Sequence, residues 1–278
     1  MTISEMRRVL AADDIRLTKS LGQNFLHDAH QLRRIADAAE LTASDKVLEI
    51  GPGLGPLTEL LVAQAGEVLA IEKDHRLFTF LQQHFAERKN LTLLHDDALD
   101  LLQQQPRDWS EWKLVANLPY SVASPILVEL AQAPGSLQRM VATLQLEVAQ
   151  RLVSQAGDDD YGVLTLLVQL RYESRGFFKI PAACFHPAPN VDSACVTLLH
   201  RPQPLLPTEQ TAAFTRLVKM AFSQRRKMMM KLLKAGWPVE KLRSAFAELG
   251  LSEQIRAERV SLEQFARLTE LLGVPTPQ

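Results

Sequence analysis

Val47-Leu-Glu-Ile-Gly-Pro-Gly-Leu-Gly55 is the stretch that decides the fold. A short apolar run cut off by glycines reads as a buried strand turning into a helix, here over residues 58–65. Working outward, Val68-Leu-Ala-Ile71 is a second strand, stopped by Glu72-Lys-Asp74 and followed by a helix over 75–88. Leu91-Thr-Leu-Leu94 and Lys113-Leu-Val-Ala116 are a third and a fourth. On the other side, Leu32, Ile35, Ala36 and Ala39 recur at helical spacing within 29–41. Strands alternating with helices predict an α/β fold, a mostly parallel sheet with helices on both faces. Ligands of such sheets bind beyond the carboxyl ends of the strands.

Past Leu170 the pattern changes. Residues 171–180 and 191–199 read as strands joined through Phe185-His-Pro-Ala-Pro-Asn-Val-Asp192, and Arg201-Pro-Gln-Pro-Leu-Leu-Pro207 reads as a linker. Beyond it lie helical patterns only, over 209–222, 227–233, 238–249 and 262–272. The expected division is therefore residues 1–202 and a small all-α domain over 203–278. Residues 1–28 show little periodicity.

A chain of 278 residues with 46% hydrophobic and 23% charged residues can bury a sizeable core. Its longest apolar stretch, Val163-Leu-Thr-Leu-Leu-Val168, is too short to span a bilayer, and the N-terminus lacks the pattern of a signal peptide. Cys184 and Cys195 make neither a disulfide framework nor a metal pair, and the seven histidines lack ligand spacing. A cytoplasmic monomer without metal is expected. The net charge of −1 hides an asymmetry: −7 over residues 1–199 and +6 over 200–278. Such an imbalance marks either solvated helix faces or a polyanion-binding end.

Three segments that carry chemistry begin where predicted strands stop. Gly51, Gly53 and Gly55 permit a tight turn and close ligand approach, or are simply a structural turn. A dinucleotide fingerprint would place glycine where Pro56 stands, so a ligand without pyrophosphate fits better. Glu72 ends the next strand where an acid can accept both ribose hydroxyls, and the pair points to a nucleoside-containing cofactor. Asp97, after the third strand, either accepts from an adenine amine or caps a helix.

Asn117-Leu-Pro-Tyr120 follows the fourth strand. The exocyclic amine of adenine is a poor nucleophile because its lone pair is delocalised into the ring. The Asn117 side-chain oxygen and the Leu118 carbonyl, gripping its two hydrogens, would favour a pyramidal nitrogen. Pro119 removes a competing donor and stiffens the turn, and Tyr120 offers a ring face for an extruded base. The sequence has no G-x-S-x-G elbow, phosphate-binding G-x-x-x-x-G-K-[ST] loop or H-E-x-x-H pair.

With these residues in place the chain resembles the ribosomal RNA adenine dimethyltransferase family, in particular its bacterial small-subunit branch. The likeness spans nearly the whole chain: Lys19-Ser-Leu-Gly-Gln-Asn-Phe-Leu26, the glycine turn, Ile71-Glu72, Asp97-Ala98, Asn117-Leu-Pro-Tyr120, Leu144-Gln-Leu-Glu-Val148, Tyr161-Gly162, Phe185 to Ser193, and Phe222-Ser-Gln-Arg-Arg-Lys227. The resemblance implies a Rossmann-like catalytic domain dependent on S-adenosylmethionine, with a helical RNA-binding domain behind it. It implies that Asn24 and the Leu26 backbone hold the methionine end, with Gln23 nearby. Gly51 would lie against the cofactor, Glu72 take its ribose and Asp97 its adenine. Asn117 would serve cofactor and target amine alike, and Tyr120 and Phe185 would sandwich the target adenine. The implied substrate is two adjacent adenosines near the 3′ end of 16S rRNA in a small-subunit precursor, each methylated twice.

Seven basic residues and no acid lie between Arg216 and Lys234. Arg225, Arg226, Lys227, Lys231 and Lys234 are expected along one helical flank that contacts RNA phosphates, with Met228, Met229 and Met230 as core. Two other readings stand beside this one. One is a large-subunit methyltransferase of the antibiotic-resistance type; the other is a non-catalytic assembly or transcription factor on the same fold.

Overall fold

The computed structural model describes residues 1, 3–12, 24–105, 107–224 and 226–274. The chain opens with α1 (Ile3–Ala12), β1 (Phe25–Leu26) and α2 (Ala29–Ala38). There follow β2 (Lys46–Ile50), α3 (Pro56–Gln64), β3 (Glu67–Glu72), α4 (His75–His84), β4 (Leu91–His95), α5 (Ala98–Gln104), β5 (Trp112–Asn117), α6 (Ala123–Gln132) and β6 (Arg139–Gln145). Then α7 (Leu146–Val153) and α8 (Val163–Gln169) precede β7 (Tyr172–Ile180), β8 (Phe185–His186) and β9 (Ser193–His200). Helices α9 (Thr211–Ala221), α10 (Met229–Leu233), α11 (Val239–Glu248) and α12 (Leu262–Leu272) close the described chain.

Seven strands form one sheet in the order β4-β3-β2-β5-β6-β9-β7, with helices on both sides. The β4-β3, β3-β2, β2-β5 and β5-β6 pairs are parallel, and β9 runs antiparallel to β6. Central parallel strands are covered on both faces, which explains why β2 and β3 read as unbroken apolar runs. Val47, Leu48, Ile50, Val68, Leu69 and Ile71 are all buried. Strand order turns back on itself between β2 and β5. That crevice is where ligands of doubly wound sheets sit.

The chain divides into two compact units, one comprising Met1–Ala149 and Ser174–His200, the other Gln150–Glu173 and Arg201–Gln278. The passage at residue 200 lies close to the expected linker, but the second unit also takes in residues 150–173. Long-range bonds hold that insert: the Tyr161 hydroxyl donates to the Val260 carbonyl, the Arg171 guanidinium to the Thr211 hydroxyl, and the Gly157 amide to the Glu258 carbonyl. Helix α1 was not legible as such, although Met6 is fully buried and Val9 and Leu10 pack beside it against Phe25, Leu54 and Leu77.

Candidate active site

Four loops at the carboxyl ends of β2, β3, β4 and β5 line a pocket that is open to solvent. Its apolar walls include Ile50, Ile71, Leu77 and Ile126, and its polar groups include Asn24, Glu72, Asp96, Asp97 and Asn117. An apolar cleft with few convergent polar groups suits a nucleoside.

The glycine turn works by close packing as much as by ligand approach. Gly51 and Gly53 have φ of +70° and +63°, a region that side chains rarely tolerate. A Cβ at Gly53 would meet the Phe25 ring at 2.7 Å, and one at Gly51 would crowd Pro119 at 3.2 Å. The turn therefore joins β1 to the segment after β5. Gly55 caps α3 with Pro56 in its first turn, the position where a missing amide costs nothing.

Glu72 is buried, and its two oxygens accept from the Gly53 amide at 3.1 Å and the Asp74 amide at 2.8 Å. Burial pushes its carboxyl up to about 7, although those amides pull the other way. A carboxylate offers about four acceptor sites, so both oxygens retain capacity for ribose hydroxyls.

Asp97 is the N-cap of α5, accepting from the Leu99 amide at 2.9 Å, and it pairs with Lys73 at 2.5 Å. Burial alone would raise its carboxyl, but Lys73 and the helix amides outweigh that and hold it below the usual range. Of the two readings open for Asp97, the structure has the helix cap, and the same residue lines the pocket.

Asn117 ends β5. Its Nδ2 donates to the Asn24 carbonyl at 3.1 Å, while its Oδ1 is buried with no partner among the described residues. The adjoining Leu118 is fixed by its amide, which donates to the Thr143 carbonyl at 3.0 Å. Tyr120 lines the pocket, and its hydroxyl shares a short hydrogen bond with Ser193.

Several expected residues lie elsewhere. Phe185 does not line the pocket: it pairs with Leu26 across β1 and β8 and is buried beside Ile35, Ile180 and Cys195. The Leu26 side chain is likewise core, so the role expected of this residue falls to its backbone alone, while Asn24 and Phe25 face the cavity. Burial of two large apolar side chains outcompetes an open position at the pocket mouth. Gln23 and Arg225 lie outside the described residues. Arg226, Lys227, Lys231 and Lys234 are exposed, but not along one helix. Met228 is extended, and the Met229 amide donates to the Ile255 carbonyl at 2.9 Å, so α10 starts only at Met229. Met229 and Met230 are buried as expected.

Sequence reading missed Phe25, Lys73 and Ser193, whose roles appear only when distant segments meet. It also passed over Glu49, fully buried and accepting from the Thr58 hydroxyl at 2.7 Å. A lone acid inside an apolar strand run is the signal that marks it. Burial raises its carboxyl to about 8. The unfolded chain releases that proton near 4.5 and the folded chain keeps it to about 8, so stability falls as pH rises between those values. Glu49→Gln, which keeps the Thr58 acceptor, is expected to match the parent near pH 5 and to melt about 2 °C or more above it at pH 9. A constant difference in thermal melts across that range would contradict this assignment.

A family model described as ribosomal RNA adenine dimethylase matches residues 15–273. The chain belongs to that family. Ribosomal RNA small subunit methyltransferase A of Geobacter sulfurreducens is 39% identical over 94% of this chain and 97% of its own. The Streptococcus pneumoniae protein of the same name is 37% identical over 97% and 96%. Among solved structures, the 23S rRNA methyltransferase ErmE aligns over 90% of this chain and 99% of its own, with TM-score 0.69 and 29% identity. A dimethyladenosine transferase from Plasmodium falciparum shares the fold, with TM-score 0.73, 24% identity and coverage of 88% and 96%. Among the described residues no His, Cys, Asp and Glu cluster suits a metal ion, and no helix is long and apolar enough to cross a membrane. In this rRNA adenine dimethylase the pocket at the β2–β5 crevice is the candidate catalytic centre.

Proposed function

We propose that the chain transfers methyl groups from S-adenosylmethionine to the exocyclic amine (N6) of two adjacent adenosines near the 3′ end of 16S rRNA, dimethylating each during small-subunit assembly. The observation that carries this reading is the unpartnered, buried Asn117 Oδ1 beside the Leu118 segment at the pocket. A buried acceptor left without a donor is costly, and an amine hydrogen repairs the deficit.

The residues fit the cofactor. Glu72 would take the ribose hydroxyls, Asp97 and Asp96 the face where the adenine sits, and Asn24 and Gly51 the methionine end. Bound there, S-adenosylmethionine supplies an electrophilic methyl group on a sulfonium. Asn117 Oδ1 and the Leu118 carbonyl would accept the two hydrogens of the target amine and turn its lone pair toward that methyl. Catalysis is then orientation and polarisation, with no general base needed before the bond forms. Tyr120, held by Ser193, is the proposed stacking face; Phe185 is not assigned to the stack because it lies in the core.

The small-subunit substrate is favoured because relatives of that name reach 39% identity, against 29% for the 23S enzyme. Labelled methyl transfer to small-subunit particles from an unmethylated strain, compared with large subunits, free RNA and DNA, tests the reading. Label on the two adenosines supports it; label confined to large subunits replaces it with the 23S alternative.

Exposed Arg226, Lys227, Lys231 and Lys234 are proposed to neutralise phosphates. Arg226→Glu with Lys227→Glu is expected to weaken rRNA binding and flatten its salt dependence, by roughly 0.7 to 0.9 in log–log slope for each phosphate no longer neutralised. Cofactor affinity, read by calorimetry, should stay unchanged; equal loss of both would indicate a folding defect instead.

A further inference from the structure

Strand β7 forms one edge of the sheet. Alternation along it sends Phe178 and Ile180 inward, where they join the buried cluster. Arg175, Phe177 and Lys179 are exposed, with Phe177 and Lys179 two apart on the strand and Arg175 beyond Gly176, whose φ of +91° interrupts the alternation there. Phe177 is among the few large apolar side chains left to solvent, at 36% exposure, and Val191, at 47%, adjoins Asp192, the partner of Lys179 at 3.7 Å. Among the described residues no ion pair or side-chain hydrogen bond engages Arg175. Beneath the stripe, the Arg34 guanidinium lies 3.8 Å from the Phe178 ring centre, which fixes the backbone that presents Phe177.

An aromatic ring between two cations suits an unpaired nucleotide strand: the ring stacks a base and the cations meet flanking phosphates. The chain connects this stripe to the pocket. Asp192 pairs with Lys179, and the next residue, Ser193, bonds to Tyr120. Two consecutive residues thus bridge the stripe and the proposed base platform, about 3.8 Å apart along the chain.

We propose that Arg175, Phe177 and Lys179 form a track for the single-stranded rRNA that leads from the target adenosine, with Phe177 stacking one unpaired base. This deepens the methyl-transfer reading and rests on it for the identity of the strand. The test uses the full chain without cofactor and two fluorescein-labelled probes, a short single-stranded RNA of mixed sequence and an RNA duplex. Phe177→Ala should weaken single-strand binding about 10-fold or more, Phe177→Trp should restore it, and duplex binding should hold. Arg175→Ala should lower the salt slope by about 0.7. Equal melting temperatures would establish that the variants fold.

Unchanged single-strand affinity in Phe177→Ala, or equal loss for strand and duplex, would overturn the track. So would a parent dimer that Phe177→Ala dissociates in sedimentation, since the ring would then serve a second copy. Methyl transfer by the parent protein is assayed in parallel. Transfer with no dependence of binding on Phe177 sinks the track and leaves the function; dependence on Phe177 with no transfer to small-subunit particles sinks the function and leaves the track.

Discussion

Asn117→Ala is expected to reduce methyl transfer about 1000-fold, far beyond the modest loss of cofactor affinity and stability that follows from freeing the Asn24 carbonyl. A single preorganised polar group at a reacting centre is typically worth about 10²- to 10³-fold. Asn117 does more than one job, because its Nδ2 also ties β5 to the Asn24 carbonyl at 3.1 Å. Asn117→Asp separates the two: it keeps an acceptor at the amine and loses the donor to Asn24, so an intermediate rate is expected. Single-turnover assays on saturated enzyme isolate this step from binding. More than a tenth of parental activity in Asn117→Ala would show that the target amine is activated elsewhere.

Glu72→Ala should loosen S-adenosylmethionine about 100-fold or more, since two hydrogen bonds to a charged group are lost together, each worth about 1.5–3 kcal/mol. The parent carries a further signature in pH. Ribose hydroxyls held by Glu72 would donate to its carboxylate form, so binding would favour the ionised state. With the free carboxyl at about 7, cofactor affinity should be full above that value and weaken toward about tenfold per unit as pH falls below it. Glu72→Gln cannot titrate and should show a flat profile at reduced affinity. Calorimetry between about pH 5.5 and 8.5, which brackets that value, reads both, and an equally sloped Glu72→Gln profile would assign the proton to another group.

Much of this site is legible in the sequence because its signals are local. An apolar strand run ending in glycine, an acid at the next strand end, and N-L-P-Y at the fourth are each contained within a few residues. Their common position at strand termini follows from alternation alone, and β2, β3, β4 and β5 deliver Gly51, Glu72, Asp97 and Asn117 to one crevice. Helix α1 escapes such a reading because its apolar positions, Ile3, Met6, Val9 and Leu10, span few turns.

The amino-acid sequence thus determined the alternating architecture, the strand-end residues and the chemistry that they can perform, since all of these rest on periodicity and residue type. Tertiary structure alone decided which candidates share the pocket. It buried Phe185 against Leu26, set Phe25 over Gly53, engaged Asp97 with Lys73 and gave Tyr120 its partner Ser193. It also broke the basic flank at Met228 and drew residues 150–173 into the second unit. Tyr120 and Ser193 stand 73 positions apart, and no local pattern reports such a pairing. Side-chain burial across the folded chain settles it, because apolar area removed from water outweighs any preference that a short segment has by itself.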